Sequence, residues 1–81
     1  MKIKFFGMAG DIVGSPTISL PASEMAGINN VAALKAYLYK HYPKLGELSS
    51  LAIAVNKSYA NEDTSLDPMD EIALIPPVSG G

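Results

Sequence analysis

Hydrophobic and polar residues alternate from Lys2 to Met8, with Ile3 and Phe5 on one face and Lys4, Phe6 and Met8 on the other. A period of two over that length predicts a strand that turns one face to a core. Gly10-Asp11-Ile12-Val13-Gly14-Ser15-Pro16 is rich in turn residues and reads as a loop. Alternation resumes at Thr17-Ile18-Ser19-Leu20, which points Ile18 and Leu20 inward, and Pro21 ends it. The loop is longer than a two-residue hairpin, yet an antiparallel return beside the first strand is the simplest topology.

The period changes after Asn30, which reads as a helix N-cap because its side-chain oxygen can accept an early amide N–H. Val31, Leu34, Leu38 and Tyr42 form one apolar stripe, Lys35 and Lys40 lie off it, and Pro43 closes the helix. Lys40 and His41 fall in the last turn, where positive charge complements the helix dipole. Leu45 to Ser50 then connects to a second clear alternation, Leu51 to Asn56, with Leu51, Ile53 and Val55 on one side. Lys57-Ser58 is expected to turn the chain into a short strand, Tyr59-Ala60, and Leu66 is expected to be a buried anchor among polar residues. Asp67-Pro68-Met69-Asp70 reads as a tight turn with Pro68 at its second position, before a strand from Glu71 to Ile75 with Ile72 and Leu74 inward. One helix with one apolar stripe covers one face of one sheet, so the fold class is a two-layer α+β domain.

Composition narrows the possible functions. Eighty-one residues, 48% of them hydrophobic, make one small globular domain with a modest core. With no cysteine there is no disulfide framework, thiolate metal site or cysteine nucleophile, so any sulfur chemistry uses sulfur from outside. No apolar run approaches the ~18 residues of a membrane span and no signal-peptide core is present, which makes the cytoplasm the expected location and a membrane an unexpected partner. The net charge is −2, no arginine occurs, and six scattered lysines supply no basic face for nucleic acid. Five of the eight acidic residues, Glu62, Asp63, Asp67, Asp70 and Glu71, fall within ten positions, either as a solvated loop face or as a flank that steers a basic partner.

Catalytic constellations are missing from the domain itself. Gly7, Gly10 and Gly14 fit neither phosphate-loop nor dinucleotide spacing. His41 is the only histidine, no second metal-type ligand accompanies it, and no metal site is expected. The adjacent acidic pairs Glu62-Asp63 and Asp70-Glu71 point to different faces and form no convergent acid–base pair. The chain is therefore not expected to be an enzyme by itself.

Chemistry instead points to the last residues, Ile75-Pro76-Pro77-Val78-Ser79-Gly80-Gly81. Pro76-Pro77 stops the final strand and projects the remaining residues as a stiff extended segment. Gly80 and Gly81 lack a Cβ and can pass a channel too narrow for other residues, carrying the α-carboxylate of Gly81 into a partner's active site. A frayed end or an added Ser-Gly-Gly scar is the plainer alternative. The expected division is a domain over 1–75 and an extended tail over 76–81. Phe6 and Ile75 lie opposite the core set of their strands. If the first and last strands are neighbours, these two and Tyr59 form an apolar patch beside the root of the tail.

Phe5-Phe6, the Asn30-Val31-x-x-Leu34 helix start, Ala54-Val55-Asn56, Leu66 followed by Asp70-Glu71-Ile72, and the Pro76-Pro77-Val78-Ser79-Gly80-Gly81 ending together resemble the small subunit of molybdopterin synthase, the MoaD family. The resemblance spans essentially the whole chain, and the ending is its most specific part. It implies a β-grasp, ubiquitin-like fold in which a mixed sheet is covered on one face by one main helix and the first and last strands lie side by side. It also implies a sulfur carrier that binds no cofactor. An E1-like adenylating enzyme uses ATP and Mg to activate the Gly81 carboxylate, which becomes a thiocarboxylate and donates sulfur to cyclic pyranopterin monophosphate in the large subunit. The implied assembly is two large plus two small subunits, with Pro76, Pro77, Val78, Ser79 and Gly80 in the partner's channel and Phe6, Tyr59 and Ile75 as the docking surface. Three departures bear on partner specificity: Gly10-Asp11 stands where Arg-Glu is frequent, Met69 where glycine is frequent, and Leu74-Ile75 where an aromatic pair is frequent. A carrier for another pathway such as thiamine biosynthesis, a ubiquitin-like protein modifier, and a β-grasp interaction module with an inert tail are the alternatives.

Overall fold

The first and last strands form the centre of the sheet. In the computed structural model, which describes residues 1–48 and 50–76, β1 (Lys2–Phe5) runs parallel to β5 (Glu71–Ile75), pairing Ile3 with Ile72 and Phe5 with Leu74. β2 (Thr17–Ser19) returns antiparallel on the outer side of β1, with Ile18 opposite Ile3. On the other flank, β3 (Ala52–Val55) is antiparallel to β5, and β4 (Ser58–Ala60) closes a hairpin with β3. The order β2-β1-β5-β3-β4 is a mixed five-stranded sheet with one parallel pair in the middle.

Register divides the side chains between two faces, because cross-strand partners point the same way. One row holds Phe5, Leu74, Ile53 and Ala60, and the next holds Ile3, Ile72 and Val55. Against these rows lies the main helix, α2 (Val31–His41), whose Val31, Leu34 and Leu38 are at most 2% exposed. Asn30 caps it as expected, its Oδ1 accepting from the Ala33 N–H at 2.9 Å. The loop after β4 satisfies two further amides at this helix start: Val31 N–H donates to Thr64 O and Ala32 N–H to Glu62 O, each at 3.0 Å. Those donors would otherwise lack partners, so the loop and the helix N-terminus hold each other in place.

Several expectations are corrected. The stretch read as a loop contains a short helix, α1 (Met8–Val13), so Met8 begins a helix and does not extend β1. Its Ala9 is fully buried in the core, and the left-handed Gly14 ends it. A six-residue helix has too few turns for periodicity to emerge, and the glycines that signalled a loop are its boundaries and one interior position. Leu20 is buried but lies one residue past β2, its N–H donating to Met1 O at 2.8 Å. Tyr42 has left the helical conformation (φ −134°), and Pro43 starts a 3-10 turn, Pro43–Glu47, that buries Leu45. Leu66 is only half-buried and packs against the edge of the core. The β3–β4 turn is centred on Asn56-Lys57, one residue earlier than expected, with φ of 51° and 72°. Two positive φ values define a type I′ hairpin, whose twist suits the flanking strands and which asparagine enters more readily than lysine.

Burial of the α2 stripe predicts its energetics. Leu34→Ala should destabilise the fold by about 2–5 kcal/mol, since a fully buried leucine leaves a cavity that the sheet and helix only partly close. Chemical denaturation monitored by far-UV circular dichroism measures this, with the midpoint falling and the slope unchanged.

Candidate functional site

Among the described residues, no helix covers the face of the sheet opposite α2. Its central row runs Lys4, Ala73, Ala54, Tyr59 across β1, β5, β3 and β4. The next row pairs Ile75 with Ala52. Phe6 carries the alternation one step beyond β1, and its N–H donates to Leu74 O at 3.1 Å, which brings it level with Ile75. Phe6 is 50% and Tyr59 78% exposed, and Ile75 is half-buried. The three residues singled out in the sequence therefore share one face. Ala52, Ala54 and Ala73 form a low apolar floor between them, a contribution that strand alternation shows only after the strand order is known.

Polar groups border this patch. Lys4 and Glu71 form an ion pair at 3.1 Å on the same face, both side chains close to half exposed. The tight turn before β5 is formed as expected: Asp70 N–H donates to Asp67 O at 2.9 Å around Pro68. Met69 does not have a positive φ, so the turn tolerates methionine where glycine would have allowed the alternative type. Asn56 clamps this turn to the β3–β4 hairpin. Its Nδ2 donates to Asp70 Oδ1 at 2.9 Å, and its Oδ1 accepts from the Glu71 N–H at 3.0 Å. The Asn56–Asp70 clamp was missed in the sequence, where the two residues stand 14 positions apart.

Two surface depressions accompany the sheet. One, of about 380 Å³, is lined by residues including Gly7, Asp11 and Ser15, and the Ser15 hydroxyl donates to Thr17 O with no histidine beside it. The other, of about 230 Å³, lies between the start of α2 and β3–β4 and includes Lys35 and Glu62, paired at 3.4 Å. Neither assembles a nucleophile with a base. Among the described residues, no group of three or more His, Asp or Glu side chains could hold a metal ion, and no helix is long and apolar enough to cross a membrane. His41 lies at the C-terminal end of α2, its ring 4.3 Å from that of Tyr37. Of the tail, Pro76 is described and half-buried; the expectations for Pro77, Val78, Ser79, Gly80 and Gly81 fall outside the described residues.

This sheet order, with a parallel central pair and one main helix across one face, defines a ubiquitin-like β-grasp protein. The chain belongs to the ThiS family, whose model matches residues 3–81, and to the family of molybdopterin synthase sulfur carrier subunits that its full-length relatives represent. It is 34% identical to the subunit of that name from Dictyostelium discoideum, over 99% of this chain and 94% of that protein. The Caenorhabditis briggsae subunit is also 34% identical, over 100% of this chain and 96% of its own length. Among solved structures, SAMP1 from Haloferax volcanii superposes with a TM-score of 0.80 at 26% identity, covering 100% of this chain and 98% of the other. A complex of subunits 1 and 2 of the molybdopterin-converting factor from Helicobacter pylori contains a chain 30% identical to this one, with a TM-score of 0.65 and coverage of 99% and 96%.

Ionisation of the clamp gives a pH signature. Hydrogen bonds from the Asn56 side chain and the Asp67 backbone hold the Asp70 carboxyl below its usual range, and Lys4 does the same for Glu71. A depressed folded pKa means that the stabilisation is complete above the unfolded value and is lost as pH falls through the folded one. The melting temperature should therefore hold from neutrality to about pH 5 and decline below about pH 4, where unperturbed carboxyls titrate. Asp70→Asn should lower it at neutral pH and make the acid decline shallower, as thermal melts across pH would show.

Proposed function

We propose that this chain is the sulfur-carrying small subunit of a molybdopterin synthase, with the Gly81 carboxylate as the group that carries sulfur. The observation that supports this best is the match along the whole chain to sulfur carrier subunits, joined to a sequence that ends Pro-Pro-Val-Ser-Gly-Gly. A carboxylate is a poor electrophile and must first be activated. A Gly81 oxygen attacks the α-phosphorus of ATP, held with magnesium by an E1-like adenylating enzyme and not by this chain, and pyrophosphate leaves. A sulfide-level donor then attacks the acyl carbon, AMP departs, and a thiocarboxylate remains. In the large subunit that sulfur attacks a side-chain carbon of cyclic pyranopterin monophosphate. As the C–S bond forms, a C–O bond at that carbon breaks and its oxygen departs with the bonding pair. Water then cleaves the acyl C–S bond, leaving sulfur on the pterin and restoring the carboxylate. A dithiolene needs two sulfurs, so the carrier is reused.

Within this reading, Pro76 and Pro77 stiffen the approach, while Val78, Ser79 and Gly80 occupy the large subunit's channel. That subunit supplies the catalytic side chains, in an assembly of two large and two small subunits in the cytoplasm. The Phe6–Ile75–Tyr59 face is the docking surface. Its aromatic side chains stand over a floor of alanines, an arrangement suited to an interface anchored by a few large side chains.

Intact-mass measurement after incubation with ATP, the activating enzyme and a sulfur donor should show one oxygen replaced by sulfur. Adding the large subunit and precursor should reverse the change, and an unchanged mass refutes the carrier role. The likeness to SAMP1, a small archaeal modifier protein, favours one second reading: Gly81 joined to target lysines. A ladder of conjugates in place of a thiocarboxylate would select it.

Tyr59→Ala tests the docking face independently. It should weaken large-subunit binding roughly tenfold, the loss typical of removing one well-packed interface aromatic. Calorimetric titration reads this, and the unfolding midpoint should stay put because the side chain is 78% exposed in the free protein.

A further inference from the structure

Parallel strands that end together place the residues beyond their ends side by side. β1 and β5 finish in register, Phe5 opposite Leu74, and the last bond between them runs from Phe6 N–H to Leu74 O. Beyond it, β1 enters a turn closed by the Ala9 N–H donating to Phe6 O at 3.1 Å, with Gly7 at φ 53°, ψ −131°. That is the first central position of a type II′ turn, which favours glycine. Beyond Leu74, β5 ends at Ile75, and Pro76 comes next.

A second constraint acts on Gly7. A Cβ there would stand 3.3 Å from Pro76 Cγ and, among the described residues, would meet no other atom within 4 Å beyond its chain neighbours. Carbon atoms in contact prefer about 3.5–4.0 Å, so a Cβ here would push the proline ring a few tenths of an ångström from where the bare glycine lets it sit. The ring gives little, because it is fused to the backbone, its φ is held within a narrow range and a change of pucker is the main freedom left to Cγ. We propose that Gly7 is a positioning residue for sulfur transfer: the bare Phe6–Ala9 turn seats the Pro76 ring and sets the line along which the chain leaves the sheet. This rests on the sulfur-carrier reading above. It adds to that reading a residue of the first turn, remote in sequence from the tail.

A double-mutant cycle separates seating from folding. In the thiocarboxylated protein assembled with the large subunit, Gly7→Ala should lower single-turnover transfer to the precursor at least about tenfold, as misaligned reactants do. Its affinity for the large subunit should stay within about threefold, since the docking side chains are untouched. In a Pro76→Ala background, which removes the ring, Gly7→Ala should slow transfer by less than about twofold more. The fall in melting temperature caused by placing a Cβ at this positive φ should persist in the Pro76→Ala background, since the backbone strain does not depend on the ring. Equal rate losses in the two backgrounds, no rate loss, or a parallel loss of affinity would each overturn the proposal. Should the Gly7→Ala variant fail to fold, the native protein still decides. A nuclear Overhauser contact between the Gly7 Hα and Pro76 Hγ protons is expected, and its absence overturns the seat. A wild-type protein that transfers no sulfur overturns the carrier reading as well, whereas normal transfer by Gly7→Ala overturns this inference alone.

Discussion

The parallel pairing of β1 with β5 is the contact on which both core and site depend. It joins residues about seventy positions apart, so nearly the whole chain must be in place before it closes. Ile3, Phe5, Ile72 and Leu74, two of the four pairs it aligns, are at most 4% exposed and form the middle of the layer that α2 covers. Without this pair, the sheet would part into a two-stranded β2–β1 ribbon, which is barely stable alone, and a three-stranded β5–β3–β4 piece. A sheet centred on its most distant strands has a high contact order, and the helix and hairpin can form locally before it closes.

The same pairing divides chemistry from stability. One face of the sheet is filled by α2, and the other, the docking face proposed above, has alanines where the helix side has isoleucine, leucine and phenylalanine. So small a domain has little interior left for a closed catalytic pocket, in keeping with the carrier role proposed above. The Lys4–Glu71 pair on the open face is close to half exposed on each side, so solvent screening leaves it little value for stability.

Much of this was legible residue by residue. The Asn30 cap, the Val31-Leu34-Leu38 stripe, the Pro68 turn and β5 each rest on local physics, either a period or a side chain with one strong preference, and each appears in the structure. The misreadings share another cause. α1 is too short for periodicity and is held by burying Ala9, a tertiary contact, while its glycines locally suggest a loop. The hairpin centre moved by one residue because Asn56 accepts a left-handed conformation and is then clamped by Asp70, 14 positions away. Tyr42 leaves the helical conformation because the chain bends into the turn at Pro43, yet it still packs against the core, and Leu45 of that turn is buried.

By itself the sequence determined the strands, the main helix, the lack of cysteine and arginine, and the Pro-Pro-Val-Ser-Gly-Gly ending, because these depend on neighbouring residues alone. Tertiary structure decided which strands are neighbours. That choice makes Phe6, Ile75 and Tyr59 one face and sets Gly7 against Pro76. No local signal could settle it: alternation says which side of a strand a residue occupies, but strand order depends on burying the α2 stripe against Ile3, Phe5, Ile72 and Leu74 together.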